Sequence, residues 1–179
     1  MSDLLCHFLI GVPGAGKSTF AQQLISFDAQ YMVISPDQIR EQLYGDPILQ
    51  GDWSAIQQQI RRDFDQAIRQ GSPVIYDATN IQRQRRIDFL REFSPQGVKW
   101  LGWLFQTPVK DCIQRNQNQD HSVPIDLIID AAQLLNQFPP QPCEGLIAVQ
   151  EVPLTEEGWL DMERVILQIT EYGYQHSEI

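Results

Sequence analysis

The segment GVPGAGKST, residues 11–19, constrains the fold of this chain more than any other stretch. It fits the pattern G-x-x-x-x-G-K-[S/T] through Gly11, Gly16, Lys17 and Ser18. An apolar run, Leu4–Ile10, precedes it, and the stretch KSTFAQQLISF, with apolar residues at helical spacing, follows it. The pattern predicts a buried strand, a tight phosphate-binding turn and a helix, which together form the opening unit of an α/β fold.

The residue types of this loop suit the binding of a nucleoside triphosphate. Glycines allow backbone amides to approach phosphate oxygens closely, and the helix that follows directs its positive end at the anion. Lys17 can reach the β- and γ-phosphates, and Ser18 can ligate Mg²⁺. We therefore predict ATP and Mg²⁺ as ligands. Nucleotide contacts are assigned to the whole loop: Gly11, Val12, Pro13, Gly14, Ala15, Gly16, Lys17, Ser18 and Thr19.

Downstream of the loop, short apolar runs alternate with helical periodicity. Further strands are predicted at 31–35, 73–80, 98–106 and 145–150. This rhythm predicts a P-loop NTPase fold of the α/β class, with a parallel five-stranded sheet and helices on both faces. We expect one domain over 1–179, with a small polar lid at about 107–121 and an acidic C-terminal helix at about 155–172.

The charge of the chain narrows the range of partners. A formal net charge of −10 over 179 residues disfavours an extended groove for duplex nucleic acid, because such binding depends on phosphate contacts from a basic face. No apolar run reaches the roughly 18 residues that a membrane span requires. Three scattered cysteines without C-x-x-C spacing predict reduced thiols, and we expect a cytoplasmic protein.

The stretch SPDQIR, residues 35–40, supports two interpretations. In the first it is a helix start, since Ser35 suits the N-cap, Pro36 the first helical position and Asp37 the first turn, where Arg40 can pair with it. In the second the same helix faces the phosphate loop, Asp37 accepts the proton of an acceptor hydroxyl, and Arg40 binds an acceptor phosphate. Both interpretations can hold together.

Asp77 ends the predicted strand PVIY and also has two interpretations. It is either a turn or helix-capping aspartate, or a carboxylate that holds magnesium or its water, together with Ser18. Ligands of parallel sheets bind at the carboxyl ends of strands, so the turns after Ile10, Ile34 and Tyr76 should lie close together. This placement favours the metal interpretation.

The order of several motifs resembles that of P-loop polynucleotide 5′-kinases and of related small kinases, including zeta-toxin kinases. These motifs are GVPGAGKST, SPDQIR, YDATN followed by RRIDFL, and CIQRN followed by VPIDLI, and they span roughly residues 5–138. The resemblance implies that Asp37 activates the acceptor hydroxyl, that Arg40 contacts the acceptor's phosphate, and that Arg115 lies on a lid over the ATP phosphates. With Lys17 of the phosphate loop, these three residues form the predicted catalytic set. Asp77 would support the magnesium or Arg40.

The predicted lid departs from this family in one respect. Phage-type polynucleotide kinases usually carry a second basic residue four positions after the lid arginine, whereas this chain has Gln119 there. A glutamine cannot neutralise developing charge. An arginine of the helix after YDATN could replace it, or these arginines form a solvated basic face; they are Arg83, Arg85 and Arg86.

Three functions therefore remain open on sequence grounds. The first is a kinase that transfers the γ-phosphoryl group of ATP to the 5′-hydroxyl of a nucleic acid or nucleotide. The second is a kinase for a small metabolite, and the third is an ATP-binding regulatory module with weak hydrolysis. Among the four tryptophans, Trp53 is the one to consider for base stacking, with core or surface-edge packing as the alternative.

Overall fold

The computed structural model describes residues 3–119 and 121–175, which form one parallel sheet surrounded by helices. The strand order is β2-β3-β1-β4-β5. The strands are β1 Leu4–Ile10, β2 Met32–Ile34, β3 Val74–Tyr76, β4 Val98–Leu104 and β5 Ala148–Glu151. The helices are α1 Lys17–Phe27, α2 Pro36–Tyr44, α3 Trp53–Gln70, α4 Arg83–Glu92, α5 Val109–Gln117, α6 Ile125–Gln137 and α7 Met162–Gln175, with a 3-10 helix at Pro142–Glu144. Over these described ranges, no helix combines the length and apolarity needed to cross a membrane.

The central strand β1 shows that both faces of the sheet are covered. Its last five residues, from Cys6 to Ile10, are all buried. Successive side chains of a strand point to opposite faces, so uninterrupted burial requires packing on each face. The predicted α/β fold with a five-stranded parallel sheet is confirmed.

The strand order creates a crevice at the carboxyl end of β1, because β1 pairs with β3 on one side and β4 on the other. Backbone hydrogen bonds join the turns that leave the strands on the β3 side. The Asp77 amide donates to the Ile34 carbonyl at 2.9 Å, and the Gly11 amide donates to the Thr79 carbonyl at 3.0 Å. The expected proximity of these three turns is confirmed, and they form one edge of the site described below.

Several predicted element bounds differ from the structure. Strand β3 ends at Tyr76 and not at residue 80, β4 ends at Leu104 and not at residue 106, and β5 begins at Ala148 and not at residue 145. The C-terminal helix begins at Met162, not near residue 155, because a tight turn occupies the segment before it. There the Thr155 amide donates to the Trp159 carbonyl at 2.8 Å, and Gly158 adopts a positive φ of 82°. In the segment predicted as a lid, the helix is α5, longer than the short helix at 111–115 that the sequence indicated.

Candidate active site

The phosphate loop joins β1 to α1 with a geometry that leaves backbone donors free for an anion. The N-cap of α1 is Gly16 at φ 100°, which has no side chain to accept from the amides of the first turn. Lys17 is the first helical residue, and its Nζ donates to the Val12 carbonyl at 2.9 Å across the loop. Only 8% of Lys17 is exposed. The loop is therefore held in a shape that surrounds a phosphate group with donors.

Helix α5 lies directly on this loop. A Cβ atom on Gly14, at φ +80°, would lie 2.3 Å from the carbonyl oxygen of Cys112, so only glycine fits. A Cβ atom on Gly16 would lie 3.7 Å from Nη1 of Arg115, which places this guanidinium beside the loop. Thr107, just before α5, donates its hydroxyl to the Ala15 carbonyl at 2.9 Å. The side chain of Arg115, which was predicted to lie on a lid, therefore lies beside the phosphate loop.

Thr107 was not among the residues singled out from the sequence. Its position in the sequence could have indicated it, because Thr107 follows β4. Strand β4 pairs with β1 in parallel, so the carboxyl ends of both strands lie at the same edge of the sheet, beside the phosphate loop.

The base of the lid segment is tied together by Asn116, which is 1% exposed. Its Nδ2 donates to the Val123 carbonyl at 2.7 Å, and its Oδ1 accepts from the Val123 amide at 2.9 Å. These two hydrogen bonds connect α5 to the segment that precedes α6. Gln119 lies within the polar loop between α5 and α6, and its amide donates to the Asn116 carbonyl at 3.2 Å.

Three charged side chains converge beside the phosphate loop. Burial lowers the pKa of Lys17, and the carboxylates of Asp77 and Asp37 oppose that shift. Burial raises the pKa of Asp77, while a hydrogen bond from Ser18 and the charge of Lys17 act in the opposite direction. Because Asp37 influences both groups, its carboxylate lies within electrostatic reach of the phosphate-binding lysine.

The stretch SPDQIR forms the predicted helix start and also faces a cavity. The Ser35 hydroxyl caps α2 by accepting from the Gln38 amide at 3.5 Å. Asp37 remains largely exposed and accepts from Nη1 of Arg40 at 2.5 Å. The guanidinium carbon of Arg40 lies 5.9 Å from the centre of the Trp53 ring. Both interpretations of this stretch are therefore compatible with the structure.

A cavity of about 520 Å³ extends from Asp37 between α2, α3, α4 and α6. This volume is within the roughly 300–1,000 Å³ of small-molecule sites. Arg40 and Asn80 also line it, and α6 contributes Asp130 and Leu134. An acceptor in this cavity would have direct access to Asp37, while a nucleotide occupies the phosphate loop.

The residues of YDATN that the sequence left without a role, Thr79 and Asn80, hold the loop after β3 in place. Asn80 adopts a left-handed φ of 50°, which asparagine tolerates better than most residues. Its Nδ2 donates to the Leu9 carbonyl at 2.6 Å, and the Thr79 carbonyl accepts from Gly11. These bonds attach the loop to the end of β1, immediately before the phosphate loop.

Three of the four arginines of α4, which are Arg83, Arg85 and Arg86, have three different environments. Arg86 is fully buried and donates to both carboxylate oxygens of Glu144, at 2.6 and 2.9 Å. Arg83 is half-exposed and lies 3.3 Å from the same carboxylate. Arg86 thus has a structural role and does not replace the missing lid charge. Of the three, only Arg85 lines the cavity.

The donor set suits magnesium that is shared with phosphate groups. Among the described residues, no cluster of three or more His, Cys, Asp or Glu side chains could enclose a metal ion. Mg²⁺ at nucleotide sites is usually held by one or two protein oxygens, by water and by phosphates. The Ser18 hydroxyl and the Asp77 carboxylate, which are close enough for Ser18 to lower the pKa of Asp77, fit that requirement.

Solved structures with the same fold include kinases of different kinds. A chain of the Pnkp1/Rnl/Hen1 RNA repair complex matches with a TM-score of 0.69 and 20% identity, covering 76% of this chain and 45% of that one. A proposed kinase from Chloroflexus aurantiacus matches with a TM-score of 0.70 and 16% identity over 98% of this chain and 99% of its own. Shikimate kinase from Acinetobacter baumannii, solved with shikimate, has a TM-score of 0.58 and 17% identity over 94% of each chain.

These identities are low enough that the structural matches establish the fold alone, which is that of P-loop kinases. The chain spans less than half of the matched chain from the RNA repair complex. The family comparison is more direct, since the model described as "AAA domain" matches residues 6–137. This match covers more than half of the chain and includes the phosphate loop, Asp37, Asp77 and Arg115. The protein is therefore a member of this AAA domain family and has a P-loop kinase fold.

Proposed function

We propose that this protein is a kinase that transfers the γ-phosphoryl group of ATP to a hydroxyl group bound in the 520 Å³ cavity. One observation carries the proposal. The Asp37 carboxylate lines the cavity and at the same time acts electrostatically on Lys17 and Asp77, the charged groups beside the phosphate loop. A carboxylate between a phosphate site and a second ligand cavity has the position required of a general base for phosphoryl transfer.

The proposed step balances as an in-line displacement. Asp37 accepts the proton of the acceptor hydroxyl, and the oxygen forms a bond to the γ-phosphorus. The bond between the γ-phosphorus and the β–γ bridging oxygen breaks, and its electron pair leaves with ADP. Lys17 and the loop amides stabilise the charge on the phosphate oxygens, and Arg115 adds a cation from the α5 side of the loop.

Two further groups complete the proposed site. Ser18 and Asp77 would hold magnesium, which when bound supplies positive charge to the phosphate oxygens. Arg40 would bind an anionic group of the acceptor. Its Nε is buried and has no hydrogen-bond partner among the described residues, while Nη1 is engaged by Asp37. Since Nε is closed to solvent, an acceptor anion would contact the part of the guanidinium that lines the cavity.

For the acceptor we propose the 5′-hydroxyl of a nucleic acid or nucleotide. The motif order supports this choice, as does the fold shared with a chain of an RNA repair complex. The second candidate is a small metabolite. It is supported by the volume of the cavity, which is typical of small-molecule sites, and by the fold shared with shikimate kinase over nearly the whole of both chains.

A transfer assay with labelled ATP and an acceptor panel tests the proposal. The panel contains a 5′-hydroxyl oligonucleotide, nucleoside 3′-monophosphates, gluconate and shikimate. We expect Asp37→Asn to reduce kcat by about 10²–10⁴-fold, the usual contribution of a general base, with ATP affinity retained. Glu41→Gln, which removes an exposed carboxylate one turn further along α2, is the matched control and should retain activity.

The outcomes separate the candidate functions. Transfer to the oligonucleotide or the nucleotides supports the first acceptor, and transfer only to the metabolites supports the second. ATP binding without labelling of any acceptor, unaffected by Asp37→Asn, would contradict kinase function. That result would favour the third alternative, a regulatory module that binds ATP.

A further inference from the structure

The cavity wall combines aromatic and aliphatic side chains with polar ones. The apolar part includes Trp53, Phe89 and Phe93, together with Ile60 and Leu134. A nucleobase presents flat apolar faces and concentrates its polar atoms at its edge. A wall with both kinds of side chain suits such a ligand, because a base needs apolar contacts on its face and polar contacts at its edge.

Trp53 is placed to receive such a base. It is the first residue of α3 and is 44% exposed, whereas Trp100 and Trp103 are buried in the core. The loop before it is held by Tyr44, whose hydroxyl accepts from the Asp52 amide at 3.0 Å. Asp52 in turn caps α3 through its side chain. An indole held at the border of a ligand cavity by these contacts is a preorganised stacking surface.

Arg40 connects Trp53 to the proposed general base. It contacts Asp37 at 2.5 Å through Nη1, and its guanidinium carbon lies 5.9 Å from the centre of the Trp53 ring. The indole, the proposed anion-binding arginine and the carboxylate therefore lie along one border of the cavity.

Gln57 adds a polar group beside this surface. It lies one turn after Trp53 on α3, and both side chains line the cavity. A glutamine amide can donate and accept simultaneously, as the edge of a base requires. Ile60 follows on the same face of the helix and is also part of the cavity wall. One face of α3 therefore presents an aromatic, an amide and an aliphatic group in sequence.

We infer that Trp53 and Gln57 are specificity-determining residues that bind the base of a nucleoside acceptor, with Trp53 stacking on its face and Gln57 contacting its edge. This inference rests on the proposed function, because it takes the cavity beside Asp37 as the acceptor site. The acceptor class is a nucleoside or nucleotide with a free 5′-hydroxyl.

The test compares adenosine 3′-monophosphate with its base-free analogue, methyl riboside 3-phosphate, for binding and for transfer. Trp53→Ala should raise KM and Kd for the nucleotide by about tenfold or more, the usual effect of removing one stacking contact, with little change in kcat. The base-free analogue should bind more weakly than the nucleotide and should be insensitive to the substitution. Trp159→Ala removes a tryptophan that lies outside the cavity and is 74% exposed, and it should leave the binding and transfer of both ligands unchanged.

Trp53→Phe, which retains an aromatic ring, should recover most of the nucleotide affinity. Gln57→Leu should change the order of preference among the four nucleoside 3′-monophosphates, and an unchanged order would remove Gln57 from the base site. Equal use of the nucleotide and the base-free analogue by the native protein would overturn the inference while leaving kinase function intact. Trp53-dependent nucleotide binding without any transfer would support the base site and contradict the proposed kinase.

Discussion

The buried ion pair between Arg86 and Glu144 gives the sharpest prediction about stability. It connects α4 to the 3-10 helix 58 residues further along the chain, and both side chains are completely buried. Removal of one partner of such a pair leaves an uncompensated charge in the interior, which typically costs about 3–5 kcal/mol. The structure indicates where each substitution falls within that range.

The cost of Glu144→Leu should lie at the lower end of this range of destabilisation. Three backbone carbonyls, those of Asn80, Ile81 and Phe138, still accept hydrogen bonds from the Arg86 guanidinium. We therefore expect a loss of about 3 kcal/mol in the free energy of unfolding. For a chain of this length, this corresponds to a decrease of about 6–12 °C in Tm.

Arg86→Met should cost more, about 4–5 kcal/mol, because it leaves the three carbonyls unpaired as well as the buried Glu144 carboxylate. Arg83 can compensate this carboxylate only in part, since it is half-exposed and 3.3 Å away. In the double variant the two losses should not add, with a coupling of about 2 kcal/mol between the sites. Urea denaturation monitored by far-UV circular dichroism measures all three values.

The matched control is Arg83→Ala, which removes the partly solvated arginine that shares the Glu144 carboxylate. Screening by water limits the contribution of such a pair to about 1 kcal/mol or less. If Glu144→Leu destabilises the protein no more than Arg83→Ala does, the assignment of Arg86 as the buried partner that holds α4 is refuted.

Three further perturbations test other parts of the structure. Gly14→Ala should destabilise the protein and weaken ATP binding more than Gly71→Ala does, because Gly71 has a similar φ of 69° but open space around it. A positive φ alone costs an alanine about 1–2 kcal/mol at either position. Calorimetry and ATP titration compare the two variants. Asn116→Ala should cost about 1–3 kcal/mol and accelerate hydrogen exchange of the Val123 amide, which mass spectrometry detects. Burial lowers the pKa of His7 to about 3, so between pH 6.5 and pH 3 the unfolded chain binds a proton that the folded protein does not. The free energy of unfolding should therefore fall by up to about 1.4 kcal/mol per pH unit as the pH decreases through this range. His7→Gln should reduce this slope, which urea denaturation at several pH values measures.

The sequence was a reliable guide wherever structure depends on neighbours along the chain. The phosphate loop follows from glycine dihedrals and from the strand and helix that flank it, and Gly14 and Gly16 do adopt positive φ. The start of α2 follows from Ser35 and Pro36, and the cap is present. The alternation of strands and helices was sufficient to predict a parallel sheet, because crossover connections require it.

The candidate site depended on contacts that no local pattern contains. Asn80 attaches the loop after β3 to Leu9, 71 residues away in the sequence. Trp53 and Arg40 come from different helices, and their contact places an aromatic ring beside the SPDQIR carboxylate. The motif YDATN indicated that this loop matters, but the role of each side chain was apparent only once the strands were paired.

Arg83, Arg85 and Arg86 of α4 show most clearly what sequence and tertiary structure each determined. Periodicity predicted a helix with basic residues at 83, 85 and 86, and this helix is present. Periodicity could not distinguish a solvated arginine from one that faces the cavity or one that is buried. The carboxylate of Glu144, from a distant segment of the chain, compensates the charge of Arg86 and so allows its burial. Arg85 remains at the cavity. A buried charge is stable only with its partner, and that partner is assigned by the fold and not by neighbouring residues.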